Sequence, residues 1–186
     1  MIYCHELFLT EMAQILFYEK GKPYYEFSNF FEAPFVLDNL RWRTTEQYFQ
    51  AQKFYIPDSP RHMEYYSIIQ SADSPMKVFM LGRQKRKGGY CAKWVVNKDS
   101  DSRTVNDMVS KYEDLQIRED WETHKLVAMK AGLMAKFTQN IRLKTLLIET
   151  GDRPIIEDSP RDPYWGRPGN HLGHMLMEVR TELSGI

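Results

Sequence analysis

The chain has 186 residues, 42% of them hydrophobic, and its 25 Lys and Arg residues balance 25 Asp and Glu residues. This length fits one domain with a single packed core, and the zero net charge excludes a generic polyanion-binding protein. No apolar run reaches the roughly 18 to 20 residues that span a bilayer, and the N-terminus lacks a secretory signal pattern. Cys4 and Cys91 form no CxxC pair, so we expect a soluble protein of the cytoplasm or another reducing compartment.

The first third of the chain predicts short strands. Residues 15–18 are apolar and aromatic, as in a first strand. Residues 26–31 and 35–37 are expected to form further β segments, with a turn at Asp38 and Asn39.

Helices dominate the rest of the chain. The Thr44 hydroxyl and the Gln47 side chain match a capping box, which predicts a helix of about twelve residues that ends near Pro57. Two Asp-Ser-Pro triplets place Ser59 and Ser74 as N-caps of the next two helices. Further helical segments are expected at about 61–70, 76–84, 120–139 and 141–150, and the last helix carries Leu172, Met175, Leu176, Val179 and Leu183 on one face.

Two stretches have weaker helix and strand patterns. Residues 88–119 contain Gly-Gly and a polar run, which indicates an insertion with a strand at 94–96 and a short helix after Thr104. Residues 151–171 are rich in turn formers, and a long loop in a compact domain is usually functional or disordered. The whole chain, 1–186, therefore predicts a helix-rich α+β fold, a single domain with a small β-sheet and a probable insertion at about 88–119.

One predicted helix face combines a carboxylate with an amine. Glu46, Gln50 and Lys53 are spaced i, i+4 and i+7, so they project from the same face. Glu46 lies in the first turn, where the helix dipole favours its ionised form. Lys53 is suited to bind phosphate, to donate a proton or, as a neutral amine, to form a Schiff base. The alternative is an ordinary exposed helix face.

The segment 154–166 is a second candidate for substrate contact. It contains three carboxylates, Glu157, Asp158 and Asp162, and two aromatic residues, Tyr164 and Trp165. The carboxylates can bind ribose hydroxyls, and the aromatic rings can stack on a base. The alternative is that Asp158 and Asp162 only shape turns before proline.

The sequence lacks the motifs of several other enzyme classes. GxGxxG, Walker A and GxSxG motifs are missing. His171 and His174 have no acidic metal-ligand pattern beside them. We expect neither a metal nor a redox cofactor. The basic run 83–87 could meet phosphates or form a solvated helix end.

Motifs along residues 15–183, interrupted at 88–119, resemble those of the NADAR family. They include Glu26-Phe-Ser-Asn-Phe30, Trp42-Arg-Thr-Thr-Glu-Gln-Tyr-Phe-Gln-Ala-Gln-Lys-Phe54, Leu81-Gly-Arg83, Lys136-Phe-Thr-Gln139 and Trp165-Gly166. Enzymes of this family are N-glycosidases. Some act on phosphorylated aminopyrimidine intermediates of riboflavin synthesis, and others remove ADP-ribose from modified guanine bases.

The resemblance implies roles for individual residues. Glu46 matches the key acidic position and Lys53 the lysine that closes the motif, while Gln47 stands where histidine is common. The glycine-rich stretch after Gly166 is shortened. Together with the patterns above, this predicts catalytic roles for Glu46, Lys53 and Asp162, and substrate contacts for Asn29, Gln50, Arg83, Trp121, Glu157 and Trp165.

The expected function is therefore hydrolysis of the N-glycosidic bond of a phosphorylated ribosyl compound. Basic residues at 83–93 and the shortened loop favour ADP-ribose on a guanine base in nucleic acid as the substrate, without a membrane partner. An N-glycosidase acting on aminopyrimidine riboflavin intermediates is the first alternative. A non-catalytic ADP-ribose or nucleotide reader is the second.

Overall fold

A computed structural model describes residues 13–82 and 100–185 of the chain. They form two compact units, one within Met1–Ser28 and Thr145–Ile186 and the other within Asn29–Lys144. Arg83, the rest of the basic run and the predicted strand at 94–96 lie outside the described residues.

The described residues are rich in helix, with four short strands in two small sheets, which confirms the α+β class. None of the described helices is long and apolar enough to cross a membrane. In chain order the elements are β1 (Ile15–Phe17), a 3-10 turn (Tyr25–Phe27), β2 (Phe35–Leu37), β3 (Leu40–Trp42), α1 (Thr45–Gln52), α2 (Pro60–Ser71), α3 (Pro75–Leu81), α4 (Ser100–Lys111), α5 (Trp121–Gln139), α6 (Ile141–Ile148), β4 (Ile155–Glu157) and α7 (His171–Ser184).

The unit within Asn29–Lys144 begins with a β-hairpin. β2 and β3 pair antiparallel, with Phe35 opposite Trp42. Asp38 and Asn39 both have positive φ, 53° and 60°, which is the backbone that a two-residue hairpin turn requires. The turn predicted from these two residues is confirmed.

Helix α1 is the central element of this unit. All eight of its residues are buried, and it packs against α2, α3 and α5. The Thr44 Oγ1 accepts the Gln47 N–H at 3.1 Å, as predicted. The Gln47 Oε1, however, accepts from the backbone N–H of Arg43 at 2.8 Å, one residue before the expected partner.

The predicted end of α1 near Pro57 is wrong. The N–H groups of Phe54 and Tyr55 donate three residues back, to Ala51 and Gln52, so the helical hydrogen bonds stop. The helical periodicity therefore no longer applies at Tyr55. The Tyr55 side chain lies beyond the helix and is 41% exposed.

The next helices begin largely as predicted, with proline in the first turn of α2 and α3. Ser74 caps α3 by accepting the Lys77 N–H at 3.2 Å. Ser59 precedes α2 but bonds the His62 Nδ1 at 2.7 Å instead of capping the backbone. Helix α4 begins at Ser100, earlier than expected.

Part of the predicted insertion contributes to the core of this unit. Val105, Tyr112 and Leu115 are buried, and α4 packs against α3. The Tyr112 ring lies 4.9 Å from that of Tyr65 on α2. Residues 104–115 therefore stabilise the unit itself.

The unit within Met1–Ser28 and Thr145–Ile186 is built on a parallel strand pair. β1 pairs with β4, with Ile15 opposite Ile155 and Phe17 opposite Glu157. Helix α7 packs on β4, and its predicted apolar face is buried.

Two expectations for irregular and extended regions are wrong. Residues 25–27 form a 3-10 turn after Tyr24, whose φ is 62°, so no strand runs from 26 to 31. Conversely, β4 lies inside the segment predicted to be a loop. A three-residue strand is too short to show an alternating pattern.

Candidate active site

Glu46 and Gln50 form a buried pair on α1. Each is 5% exposed, and the Gln50 Nε2 donates to the Glu46 Oε1 at 2.7 Å. A carboxylate can only accept, so the amide must turn its nitrogen towards Glu46 and its oxygen away. The predicted i, i+4 juxtaposition is thus a direct hydrogen bond, and the exposed-face alternative does not apply to these two residues.

The backbone of Asn29 supports the start of α1. Its carbonyl accepts the Glu46 N–H at 3.1 Å, one of the donors that the first helical turn leaves without an intrahelical partner. The side-chain Oδ1 of Asn29 and the Oε1 of Gln50 are buried without a hydrogen-bond partner among the described residues. Buried polar atoms are normally paired, so the Asn29 Oδ1 is suited to ligand contact, whereas the Gln50 Oε1 lies against Gly82.

Lys53 follows the last residue of α1 and is half-buried. Its Nζ donates to the Gly82 carbonyl at 3.1 Å. The same nitrogen lies 5.6 Å from the Phe49 ring centroid and 5.7 Å from that of Trp121. The two rings are 5.0 Å apart. Trp121, predicted to contact substrate, therefore lies beside Lys53, and both rings stabilise its ammonium form.

Glu157, Asp162 and Trp165 belong to the other unit. The Glu157 N–H, at the end of β4, donates to the Asn170 Oδ1 at 3.0 Å. The Asp162 Oδ1 accepts the N–H groups of Tyr164 and Trp165 at 3.0 and 2.9 Å. This is the turn-shaping geometry that the sequence left open for Asp162. Its role in orienting ribose stays a prediction.

Comparison with known proteins identifies the family. The NADAR domain matches residues 16–184. The chain belongs to the NADAR family.

A solved structure agrees with the fold described above, and N-glycosidases from two organisms are similar in sequence. N-glycosidase YbiA from Escherichia coli K12 is 32% identical to this chain, and the match covers 91% of this chain and 88% of YbiA. The NMR structure of E. coli YbiA has a TM-score of 0.70 with 30% identity, and covers 95% of this chain and 88% of that one. N-glycosidase Npun_R5314 from Nostoc punctiforme is 29% identical to this chain, and the match covers 92% of this chain and 94% of the Nostoc protein. The chain is an N-glycosidase, which favours the enzyme over the non-catalytic reader.

A third NADAR relative has a different name. The chloroplastic riboflavin biosynthesis protein PYRR from Zea mays is 30% identical over 92% of this chain, but the match covers 25% of the maize protein.

Gln47 replaces the histidine that is common in the NADAR motif, and it has a structural role here. Its Nε2 lies within hydrogen-bond distance of three backbone carbonyls around the end of α2: Ile69 at 3.3 Å, Gln70 at 2.7 Å and Ala72 at 3.1 Å. An amide in this position carries no proton to or from the substrate.

Sequence reasoning missed His124, one turn along α5 from Trp121. The two rings are 6.3 Å apart, and the His124 Nε2 is buried without a hydrogen-bond partner in the described ranges. Burial lowers the pKa of His124, and the nearby Arg118 lowers it further, while Asp120 opposes the shift. His124 lies three residues after Trp121, on the same face of the helix, and this spacing is the sequence signal that could have indicated the contact.

Asn170 was also missed. It has positive φ, 49°, and its amide bridges the backbone of β4, accepting from Glu157 and donating to the Ile155 carbonyl at 3.0 Å. A Cβ at Gly173 would overlap that carbonyl. The Asn-His-Leu-Gly sequence at the start of α7 therefore positions the strand that ends in Glu157.

The remaining predicted contact, Arg83, lies outside the described residues. Its neighbour Gly82 is described and accepts from Lys53. Within 13–82 and 100–185, no cluster of three or more His, Cys, Asp or Glu side chains is arranged to hold a metal.

Proposed function

We propose that this chain hydrolyses the N-glycosidic bond of a phosphorylated ribosyl compound, with Glu46 and Lys53 as the catalytic pair. The observation that carries this proposal is the buried Glu46 carboxylate, bonded to Gln50 at one end of α1, with the Lys53 ammonium after the other end. We further propose that the preferred substrate is ADP-ribose attached to a modified guanine base.

Glu46 is suited to the charge that develops on the sugar. As the bond from the anomeric carbon to nitrogen breaks, positive charge grows on the sugar and negative charge on the leaving base. The helix dipole favours the anionic form of a carboxylate in the first turn of a helix. Held by Gln50, it can face the sugar cation or accept a proton from the attacking water.

Lys53 has two chemical routes. As an ammonium, it can bind substrate phosphate or protonate the leaving nitrogen. As a neutral amine, it can attack the anomeric carbon while the bond from that carbon to the base nitrogen breaks, and a proton of the amine passes to the leaving base. The resulting glycosylamine opens by cleavage of its bond to the ring oxygen, which takes up a proton, and water then hydrolyses the iminium to release the sugar and the amine. Its contacts with two aromatic rings and a carbonyl favour the ammonium, so covalent catalysis requires the Lys53 proton to leave first.

One substitution and one trapping experiment separate these routes. Arginine keeps the charge but cannot form a Schiff base, so Lys53→Arg retains turnover if Lys53 acts as a cation and loses it if the amine attacks. Borohydride added during turnover should leave a sugar adduct on the Lys53 peptide only in the covalent case. Lys77→Met, which removes a lysine paired with Asp73, is the control for labelling.

The preference for ADP-ribose rests on the basic run that follows Gly82 in the sequence. Gly82, whose carbonyl accepts from Lys53, is followed directly by Arg83-Gln84-Lys85-Arg86-Lys87. A diphosphate or a nucleic acid strand needs such a run more than a small monophosphate does, because each neutralised phosphate releases counterions.

A second candidate substrate is a phosphorylated aminopyrimidine intermediate of riboflavin synthesis. It is supported by relatives named as riboflavin biosynthesis proteins, from maize and from Vibrio vulnificus.

Turnover of both substrates decides between the candidates. We expect a higher kcat/KM with an ADP-ribosylated guanine oligonucleotide than with the aminopyrimidine ribosyl phosphate. The reverse order would transfer the assignment to the riboflavin intermediate. Binding without turnover of either compound would restore the non-catalytic reader.

A further inference from the structure

Gly82 contacts Lys53 directly, and it contacts Gln50, which is the hydrogen-bond partner of Glu46. It lies immediately after α3 and is buried. Its φ of −72° is open to any residue, so conformational freedom does not explain a glycine here. The explanation is space.

The Gln50 side chain occupies the position that a Gly82 side chain would need. A Cβ on Gly82 would overlap the Gln50 Oε1 and Cδ, and would lie 2.8 Å from the Gln50 Cβ. The last of these atoms is fixed by α1, so rotating the amide does not relieve the overlap. Because the Gln50 Nε2 is bonded to Glu46, any displacement of Gln50 disturbs that carboxylate.

Hydrogen bonds fix the position of the Gly82 backbone. Its N–H donates to the Val78 carbonyl at 2.9 Å. The preceding carbonyl, of Leu81, accepts the buried Tyr65 hydroxyl at 2.9 Å. On this support, the Gly82 carbonyl receives the Lys53 Nζ.

We propose that Gly82 is a positioning residue for the reaction: its missing side chain seats Gln50 against Glu46, while its carbonyl holds Lys53. This inference rests on the proposed catalytic roles of Glu46 and Lys53. Alanine at Gly82 leaves the carbonyl in place and removes the space, so it acts on Glu46 through Gln50.

A double-mutant cycle tests this assignment. Gly82→Ala and Gln50→Ala should each lower kcat by roughly 10- to 100-fold with KM within a few-fold, since a small misplacement of a catalytic group costs up to about 10²-fold. The double variant, in which the Cβ at position 50 is the only atom of the overlap that remains, should be little slower than Gln50→Ala alone. Additive losses, or a Gly82→Ala enzyme with wild-type kcat, would overturn the proposal.

A structural measurement separates this inference from the proposed function. The Gln50 side-chain NH₂ protons, buried and bonded to Glu46, should exchange slowly with solvent by NMR in wild type and rapidly in Gly82→Ala. Slow exchange in both would overturn the proposal even if neither substrate is turned over, whereas an inactive wild type with the expected NMR change would refute only the proposed function.

Gly132→Ala is the matched control. Its Cβ would meet the Thr45 Cγ2 at 3.0 Å and the Tyr48 Cδ1 at 3.3 Å, so it also crowds α1 but away from Gln50. We expect a lower Tm, with the slow Gln50 exchange retained. Loss of slow exchange here as well would mean that general crowding of α1, and not Gly82, controls the pair.

Discussion

At the scale of single residues, Glu46 depends on neighbours from two parts of the chain. Gln50, one turn later on the same helix, donates to its carboxylate, and Asn29 accepts its backbone N–H. A buried charge is tolerated only when it is hydrogen bonded, and the Gln50 amide supplies such a bond to the Glu46 carboxylate. The same environment keeps the carboxylate oriented for chemistry.

Glu46→Gln should lower kcat at least roughly 10²-fold while substrate binding persists, because it removes a charge needed mainly in the transition state. Steady-state kinetics with the better substrate measures the effect. Glu122→Gln is the control, since Glu122 is also a first-turn glutamate but is exposed. Glu46→Gln activity within a few-fold of wild type would end the catalytic assignment.

His124 should make stability depend on pH. Burial and Arg118 lower the pKa of His124, so below about pH 6.5 the unfolded chain binds a proton more readily than the folded one. The free energy of unfolding therefore falls as pH drops from about 6.5 through the lowered pKa. Urea titrations should show a smaller loss between pH 7 and pH 5 for His124→Gln than for wild type. Equal losses would contradict the shift.

At the scale of elements, α1 is fixed by long-range hydrogen bonds as much as by its own sequence. Gln47 ties the first turn of α1 to carbonyls around the end of α2, and Thr44 caps it. The helix itself is only two turns long, and short helices are marginal without tertiary contacts.

Gln47→Ala should lower the free energy of unfolding by about 2–3 kcal/mol, because it removes part-buried hydrogen bonds with the Arg43 N–H and with the Gln70 and Ala72 carbonyls. Denaturant unfolding measures the loss. Gln70→Ala is the control, since its amide bonds an exposed carbonyl, that of Arg41, and it should change stability by no more than about 0.5 kcal/mol. Similar losses of unfolding free energy in the two variants would show that the Gln47 hydrogen bonds do not stabilise the fold more than an ordinary surface contact does.

At the scale of the whole molecule, zero net charge removes long-range attraction to polyanions. Any salt dependence with an oligonucleotide substrate must therefore come from local contacts. For about three phosphates, kcat/KM should fall roughly 20- to 40-fold from about 50 to about 200 mM salt. Replacing Arg83, Lys85, Arg86 and Lys87 by glutamine should flatten this dependence. An unchanged slope would exclude the basic run as the phosphate contact.

Local patterns in the sequence determined the NADAR family, the hairpin turn at Asp38 and Asn39, the start of α1 with its Glu46, Gln50 and Lys53 face, and the apolar face of α7. The turn, the start of α1 and the two helix faces are each determined by residues a few positions apart, because capping, turn geometry and helical periodicity are short-range.

Only the tertiary structure decided the pairing of β1 with β4, the end of α1, the place of Gly82 between Gln50 and Lys53, and the structural use of Gln47. These features depend on groups brought together from distant parts of the chain. Burial and hydrogen-bond partners are properties of the packed molecule, and no local spacing records them.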